Sequence, residues 1–394
     1  MPSFPATVDA CQYTVETTLK GKPKMLPCGP GMPKALLKGI TADVRAGHVL
    51  AIMGPSGAGK TTLLNMLTLE KKGGAPTGTL TLNGHPFTLA LYKKHCAYVQ
   101  QQDALWACLN ARDHLTYAYD LFQPQLSTSD RDVEVEKTLK TLGLTEVQTV
   151  KAGNQFFRGL SGGLKRRLSI GIALAKNPLV LMLDEPTTGV DSASASMIMS
   201  FLKTVAAERQ IAVLCTIHQP PASVFAGFDD TLILASGRIA YFGAASELGT
   251  YLAKVGKTPP TGVNMAEFAL DLVNRDFSSP IEVDAILDAW AKQETPSTDD
   301  GAPLKPLPEP PTRAGFIAQC ATLTRRAWSV ALREPIQYTG RMAAIFFSVA
   351  FFGILVHARG SNSAPRLCFC LFVLLGLLLV LLGLPLVLLL LRPL

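Results

Sequence analysis

At 394 residues the chain is long enough to bury a full core, and a 48% hydrophobic content leaves apolar sequence over, gathered at the C-terminal end. The eight cysteines are scattered, with no C-x-x-C pair and no histidine at zinc spacing, so neither a disulfide framework nor a metal cluster is indicated and reduced cytosolic thiols are expected. A formal charge of +7 raises nucleic-acid binding, but no nucleic-acid module accompanies it, and Lys165, Arg166, Arg167, Arg325, Arg326, Arg333 and Arg341 sit in a helix or beside hydrophobic sequence.

In chain order, the apolar run Val49–Met53 predicts a buried strand. Gly54-Pro55-Ser56-Gly57-Ala58-Gly59-Lys60-Thr61 follows at once, and residues 62–69 read as a helix. Strand and helix on either side give G-x-x-x-x-G-K-T the context of a phosphate-binding loop. Glycines at 54, 57 and 59 are expected to turn backbone N–H groups toward phosphates where a β-carbon would block them, with the positive end of the helix behind. Lys60 then reaches the β/γ-phosphates, Thr61 ligates Mg²⁺, and Thr62 completes the nucleotide-binding stretch.

Residues 132–142 predict an exposed helix with Val133, Leu139 and Leu142 as its apolar positions. Leu160-Ser161-Gly162-Gly163 opens a helical run to about Lys176, and small residues there leave the first N–H groups free to cap an anion. Residues 179–183 form a second apolar run, a strand buried on both faces, with Asp184 and Glu185 at its carboxyl end. The first carboxylate suits Mg²⁺ and the second an attacking water.

With Tyr98-Val99-Gln100-Gln101 between phosphate loop and L-S-G-G, and Thr216-Ile217-His218 after the Asp-Glu strand, five elements stand in one order over roughly 165 residues. In this the chain resembles the ATP-binding cassette (ABC) ATPases. Thr216-Ile217-His218-Gln219-Pro220-Pro221, Arg158-Gly159-Leu160-Ser161-Gly162-Gly163 and a cassette that precedes the hydrophobic spans are similar to the ABCG, or White and pleiotropic drug resistance type, half-transporters over about residues 10–356. The resemblance implies an α/β P-loop NTPase cassette, with a mixed β-sheet core and a helical subdomain, followed by a C-terminal α-helical membrane segment.

It also implies roles. Glu185 would be the catalytic carboxylate, His218 the contact to the γ-phosphate, and Gln101 a contact to Mg²⁺ and water. Gln100 and Gln102 leave that last choice open by one position, although the Tyr-Val-x-Gln spacing favours Gln101. Asp184 would join Thr61 and Gln101 at the metal. Ser161, Gly162 and Gly163 would close over ATP held by another cassette, and Asp191 would lie in the loop joining the two. Tyr13 is the candidate adenine-stacking aromatic, or a packing residue of its strand. Leu164 departs from the Gln or Glu that usually follows L-S-G-G, and Asn264-Met265-Ala266-Glu267-Phe268 departs from Asn-Pro-Ala-Asp-Phe.

The expected domains are an ATP-binding domain over 1–275, with its helical subdomain at about 106–176, a Pro-rich linker over 276–312, a connecting helix over 313–334 and a transmembrane segment over 335–394. Six prolines fall between Thr295 and Thr312. Residues 315–333 alternate apolar and basic residues at helical spacing, which suits a helix at a membrane surface or a cytosolic core helix. Residues 336–358 and 367–391 are long enough to span a bilayer, making one or two spans. Half-transporters of the family carry six spans, so truncation is expected here.

The expected function is the ATP-binding and ATP-hydrolysing subunit of an exporter of lipids, sterols or amphipathic xenobiotics. It would use ATP and Mg²⁺, pair with a second half-transporter as homo- or heterodimer, and sit in a bilayer with its cassette in the cytosol. The alternative is a membrane-tethered ATPase that regulates full-length relatives without transport. A P-loop GTPase is disfavoured because no N-K-x-D motif occurs.

Overall fold

The structure, a computed structural model, describes residues 11–19, 34–69, 75–154, 157–260, 262–292, 307–309, 314–333, 347–348 and 350–351, with 11–19, 34–35 and 75–77 as backbone alone. The strands in chain order are β1 (Cys11–Leu19), β2 (Lys34–Val44), β3 (Val49–Met53), β4 (Ala75–Leu82), β5 (His85–Pro86), β6 (Cys96–Val99), β7 (Val180–Asp184), β8 (Ala212–Thr216), β9 (Asp230–Ala235) and β10 (Arg238–Ala244). The helices are α1 (Lys60–Leu67), α2 (Leu89–His95), α3 (Ala111–Phe122), α4 (Thr128–Thr141), α5 (Gly162–Leu174), α6 (Ser192–Arg209), α7 (Ala222–Phe225), α8 (Leu248–Lys254), α9 (Met265–Val273), α10 (Pro280–Ala291) and α11 (Phe316–Arg333).

Two compact units divide the chain. The first takes in residues up to 104, 138–145 and 161–311. Its larger sheet has the order β10-β9-β3-β8-β7-β6, in which β9, β3, β8, β7 and β6 run parallel and the edge strand β10 is antiparallel. All residues of β3 and β8 are buried, the signature of parallel strands covered on both faces. A smaller antiparallel sheet has the order β2-β1-β4-β5. The two tight hairpins, at Asn83-Gly84 and Ser236-Gly237, place successive residues at positive φ, as the twist-matched two-residue turn requires.

Local sequence explains the helix ends. Ser161 and Asp191 cap α5 and α6 by accepting from the N–H groups of Leu164 and Ser194. The stretch expected to be linker from residue 276 instead opens with α10. Ser279 and Glu282 form a reciprocal capping box, Pro280 takes the first turn, and Val283, Ile286 and Leu287 bury one stripe at helical spacing. In α4 the buried apolar positions are Val135, Leu139 and, just beyond its end, Leu142, with Thr138 buried beside them, while Val133 is 63% exposed, so the expected stripe is displaced at its first member. Helix α5 groups with the sheets and not with the helices before it, in contrast to a helical subdomain running through 106–176.

The second unit comprises residues 105–137, 146–160 and, beyond 312, helix α11. A capping box of Asn110 and Asp113 starts α3. The basic residues of α11 meet the acidic and aromatic ones of this unit: Arg333 pairs with Asp113, Arg325 pairs with Asp120 and lies 5.3 Å over Tyr117, and Arg326 lies 5.6 Å over Trp106. Asp120 also takes Arg131 at 2.9 Å, and the Tyr117 and Ser329 hydroxyls are 3.0 Å apart. Among the described residues no helix is long and apolar enough to cross a membrane. The two candidate spans, 336–358 and 367–391, lie outside the described residues except for 347–348 and 350–351.

His114 is buried in this second unit, with Nδ1 donating to the Asn110 carbonyl at 2.8 Å and Nε2 accepting from the Trp106 N–H at 3.0 Å. Both ring nitrogens are used by the neutral tautomer, and burial pushes the pKa below its ordinary 6.5. His95, in the first unit, is shifted down by burial as well. A folded pKa below the unfolded one gives stability that is full above 6.5 and lost as pH falls from there toward the lowered value. Melting temperatures taken between about pH 8 and about pH 5 should therefore fall less steeply in His114→Asn than in the parent; parallel slopes would contradict the assignment.

Candidate active site

The phosphate loop leaves β3 at Gly54 and enters α1 at Lys60. Its three glycines serve different ends. A β-carbon on Gly54 would stand 2.3 Å from the Leu234 carbonyl oxygen of β9, and one on Gly59 2.7 Å from the Leu37 side chain of β2. Gly57, at φ +75°, faces open space. Only Gly57 thus matches the expected clearance for a ligand; the other two are required by the protein's own packing. Pro55 and Ala58 close the turn through a 3.2 Å backbone hydrogen bond, and Thr61 is exposed at the helix start, with Thr62 half-buried beside it. No acidic residue lies in the first turn of α1 and no side chain caps it, so its N–H end keeps its full positive character.

Lys60 is 8% exposed and donates to the Gly54 carbonyl at 2.6 Å and the Pro55 carbonyl at 3.1 Å. Burial pushes its pKa down, and the carboxylates of Glu185 and Asp184 pull it back up. Asp184 ends β7 and Glu185 is the residue that follows it. Asp184 accepts from the Thr216 hydroxyl at 2.7 Å and the Tyr98 hydroxyl at 3.3 Å. Glu185 has a left-handed backbone, φ 46°, and its carboxylate accepts from the Gln101 amide at 2.7 Å and the Thr188 hydroxyl at 3.0 Å. Gln101, rather than Gln100 or Gln102, reaches Glu185.

His218 is exposed after β8, with Nε2 3.3 Å from the Ser56 hydroxyl. A shallow depression beside this pair is lined by Gly54, Gln219, Asp271 and Asn274. Ser161 and Gly162 are exposed at the start of α5; Gly163 is buried, and a β-carbon there would come 2.9 Å from that of Ser194. Asp191 takes the Ser194 N–H at 2.9 Å and its hydroxyl at 2.7 Å, and the backbone hydrogen bond holds its carboxyl below the usual range. The first unit therefore carries Lys60, Asp184, Glu185, Gln101 and His218 around the phosphate loop, and Ser161 to Gly163 against the Asp191 turn. Tyr13 lies on β1 opposite Ala42 and Leu80, and its side chain is outside what is described.

Sequence reasoning passed over Thr216, Tyr98, Thr188 and Arg166 as site residues. Arg166 is 3% exposed and donates to the carbonyls of Gln100, Gln101 and Asp184. No periodicity marks it, because its partners lie on other elements. The glycine contacts give a direct test: in nucleotide-free thermal unfolding, Gly54→Ala should lower the midpoint well beyond Gly57→Ala, whose strain is limited to about 1–2 kcal/mol of left-handed backbone. Equal effects would contradict the close approach to Leu234.

Comparison with known proteins points to one family. Residues 37–188 match the ABC transporter family. ABC transporter G family member 17 of Arabidopsis thaliana is 39% identical over 252 residues, covering 64% of this chain and 38% of that protein. Member 7 of the same plant is 36% identical over 351 residues, 83% of this chain and 48% of that one. Member 4 of Dictyostelium discoideum is 32% identical over 332 residues, 82% and 40%. The chain thus spans between about a third and half of the length of these relatives. Phosphate loop, Asp-Glu strand end and family match lead to one conclusion: the chain carries an ABC-type ATP-binding cassette, similar to those of ABC transporter G family proteins.

Proposed function

We propose that this cassette drives export across a membrane as one half of an ABCG-type transporter dimer, and that lipids, sterols or amphipathic xenobiotics are its cargo. The observation that carries the reading is the convergence on one phosphate loop of a buried ammonium, Lys60, and two carboxylates held in fixed orientation, Asp184 and Glu185. Phosphoryl transfer asks a protein mainly for positioning and charge stabilisation, and these residues supply both.

In this reading Gly54 to Thr62 bind the phosphates of ATP, and Lys60 exchanges its two carbonyl partners for phosphate oxygens. Oxygen donors of Thr61, Asp184 and Gln101 suit Mg²⁺ in kind, and the uncapped start of α1 suits the anion beside it. Mg²⁺ held by these residues would neutralise negative charge developing on the phosphates. Glu185 accepts the proton of the attacking water, with Gln101 and Thr188 fixing its carboxylate. His218, already against Ser56, would contact the γ-phosphate.

Dimerisation is supported by the exposed Ser161-Gly162 helix start, an anion-binding feature with no phosphate loop of its own within its turn. It would complete the ATP site of a second subunit, and Asp191 would line the seam. Membrane attachment rests on the sequence: apolar runs at 336–358 and 367–391 follow the basic helix α11, and basic residues beside a span favour the cytosolic side for the cassette.

Lys60→Ala should weaken ATP binding by at least about tenfold, read by fluorescent-nucleotide titration, because the phosphates lose their buried counter-charge. Glu185→Gln should keep ATP affinity, reduce hydrolysis by about a hundredfold or more and accumulate dimer on ATP addition, seen by light scattering of the full chain in detergent. Hydrolysis at the parental rate in Glu185→Gln would overturn the catalytic assignment, and an ATP-independent monomer would overturn the sandwich.

A further inference from the structure

We propose that Arg166 is a positioning residue for ATP hydrolysis, one that sets the backbone carrying Gln101 and Glu185 and ties it to the helix whose first turn would serve the opposite ATP site. The inference rests on the cassette reading above and assigns a part of it to a side chain outside the phosphate-contacting motifs.

Among the described residues Lys60 and Arg166 are the only buried Lys or Arg side chains. Such burial is rare without pairing, and Arg166 is paired through both terminal nitrogens while its Nε has no partner. One nitrogen, Nη1, donates to the Gln100 carbonyl and more weakly to that of Gln101 at 3.4 Å, and pairs with Asp103 at 3.2 Å. The other, Nη2, donates to the Asp184 carbonyl at 2.6 Å.

That carbonyl belongs to the peptide that leads into Glu185. The N–H of the same peptide donates to the Thr216 hydroxyl at 2.9 Å, so the link is gripped from both sides. Glu185 itself is left-handed, a conformation a non-glycine residue keeps only when its surroundings hold it. Gln101, whose amide meets Glu185 at 2.7 Å, hangs from the other backbone that Arg166 holds. Removing the guanidinium frees both partners of that contact at once.

Arg166 lies in the second turn of α5, which starts at Gly162 with Ser161 as its cap. A displacement of that turn by a second subunit's nucleotide would reach Glu185 and Gln101 through one rigid side chain. The two composite sites of a dimer would thereby sense each other without any contact between their phosphates.

The test uses the full chain purified in detergent, comparing the parent with Arg166→Gln, Arg166→Lys and Asp103→Asn for ATPase kcat and KM, fluorescent-nucleotide affinity and melting temperature. Loss of positioning by about 1 Å costs about a hundredfold in rate, so Arg166→Gln should lose between about ten- and a hundredfold in kcat while nucleotide affinity stays within about threefold. Arg166→Lys, which keeps a charged donor, should recover part of kcat, and Asp103→Asn should lose less than Arg166→Gln. An unchanged kcat in folded Arg166→Gln, no rescue by lysine, or equal losses in kcat, affinity and melting temperature would each overturn the proposal. Should Arg166→Gln fail to fold, Arg166→Lys decides it by the same split between kcat and affinity. A parent that hydrolyses no ATP, or a Glu185→Gln variant as fast as the parent, would overturn the cassette mechanism and this inference with it; an active, Glu185-dependent parent with an indifferent Arg166 would overturn this inference alone.

Discussion

Parallel hydrogen bonding of β8 between β3 and β7 is the constraint on which the site depends. In that register Thr216 stands opposite Ile52 on one side and Asp184 on the other, so three strands end at one level. Three chain segments then leave the sheet together: the phosphate loop, the Asp-Glu turn and the stretch leading to His218. Parallel strands need coverage on both faces, and the complete burial of β3 and β8 shows that the apolar runs supply it. Ligand binding at the carboxyl edge of such a sheet follows from its geometry, because the connecting loops and helix starts open there.

Two buried cations organise the polar groups at this edge. Lys60 is held by its own loop's carbonyls and faces two carboxylates, an arrangement that keeps the charge in place despite the desolvation that lowers its pKa. Arg166 works on backbone alone apart from Asp103, and its carbonyl partners carry the residues nearest the expected chemistry. Thr216 completes this arrangement by donating to Asp184 and accepting from the Glu185 N–H. Buried polar groups are costly unless satisfied, and here each satisfied pair also fixes a side chain of the site.

The second unit is held by a different balance. Helix α11 carries Arg325, Arg326 and Arg333, and its contacts with the rest of that unit include ion pairs to Asp113 and Asp120, stacking on Tyr117 and Trp106 and the Tyr117–Ser329 hydroxyl contact, with Cys108 and Val330 in a small apolar cluster. Exposed pairs of this kind contribute little each, so specificity of docking, more than strength, is what they provide. The large apolar side chains left exposed on α11, Phe316, Ile317, Trp328 and Leu332, are consistent with the amphipathic pattern of its sequence.

The sequence by itself determined the phosphate loop, the two carboxylates at a strand end and the helix start at Ser161, because each is encoded in a few consecutive residues with apolar runs beside them; it only favoured Gln101 over its two neighbours, and the contact to Glu185 came from the folded chain. It did not reveal that Gly54 and Gly59 are demanded by Leu234 and Leu37, that Val135 rather than Val133 faces inward, or that α10 lies at the head of a Pro-rich stretch whose capping box went unread. Tertiary structure alone decided the strand order, and with it the meeting of Tyr98, Asp184 and Thr216, residues that lie from 32 to 86 positions apart in contacting pairs. Arg166 belongs to the same class. Local pattern reports which face of an element is buried, whereas the partner of a buried polar group is set by which element packs beside it, and that is a property of the folded chain.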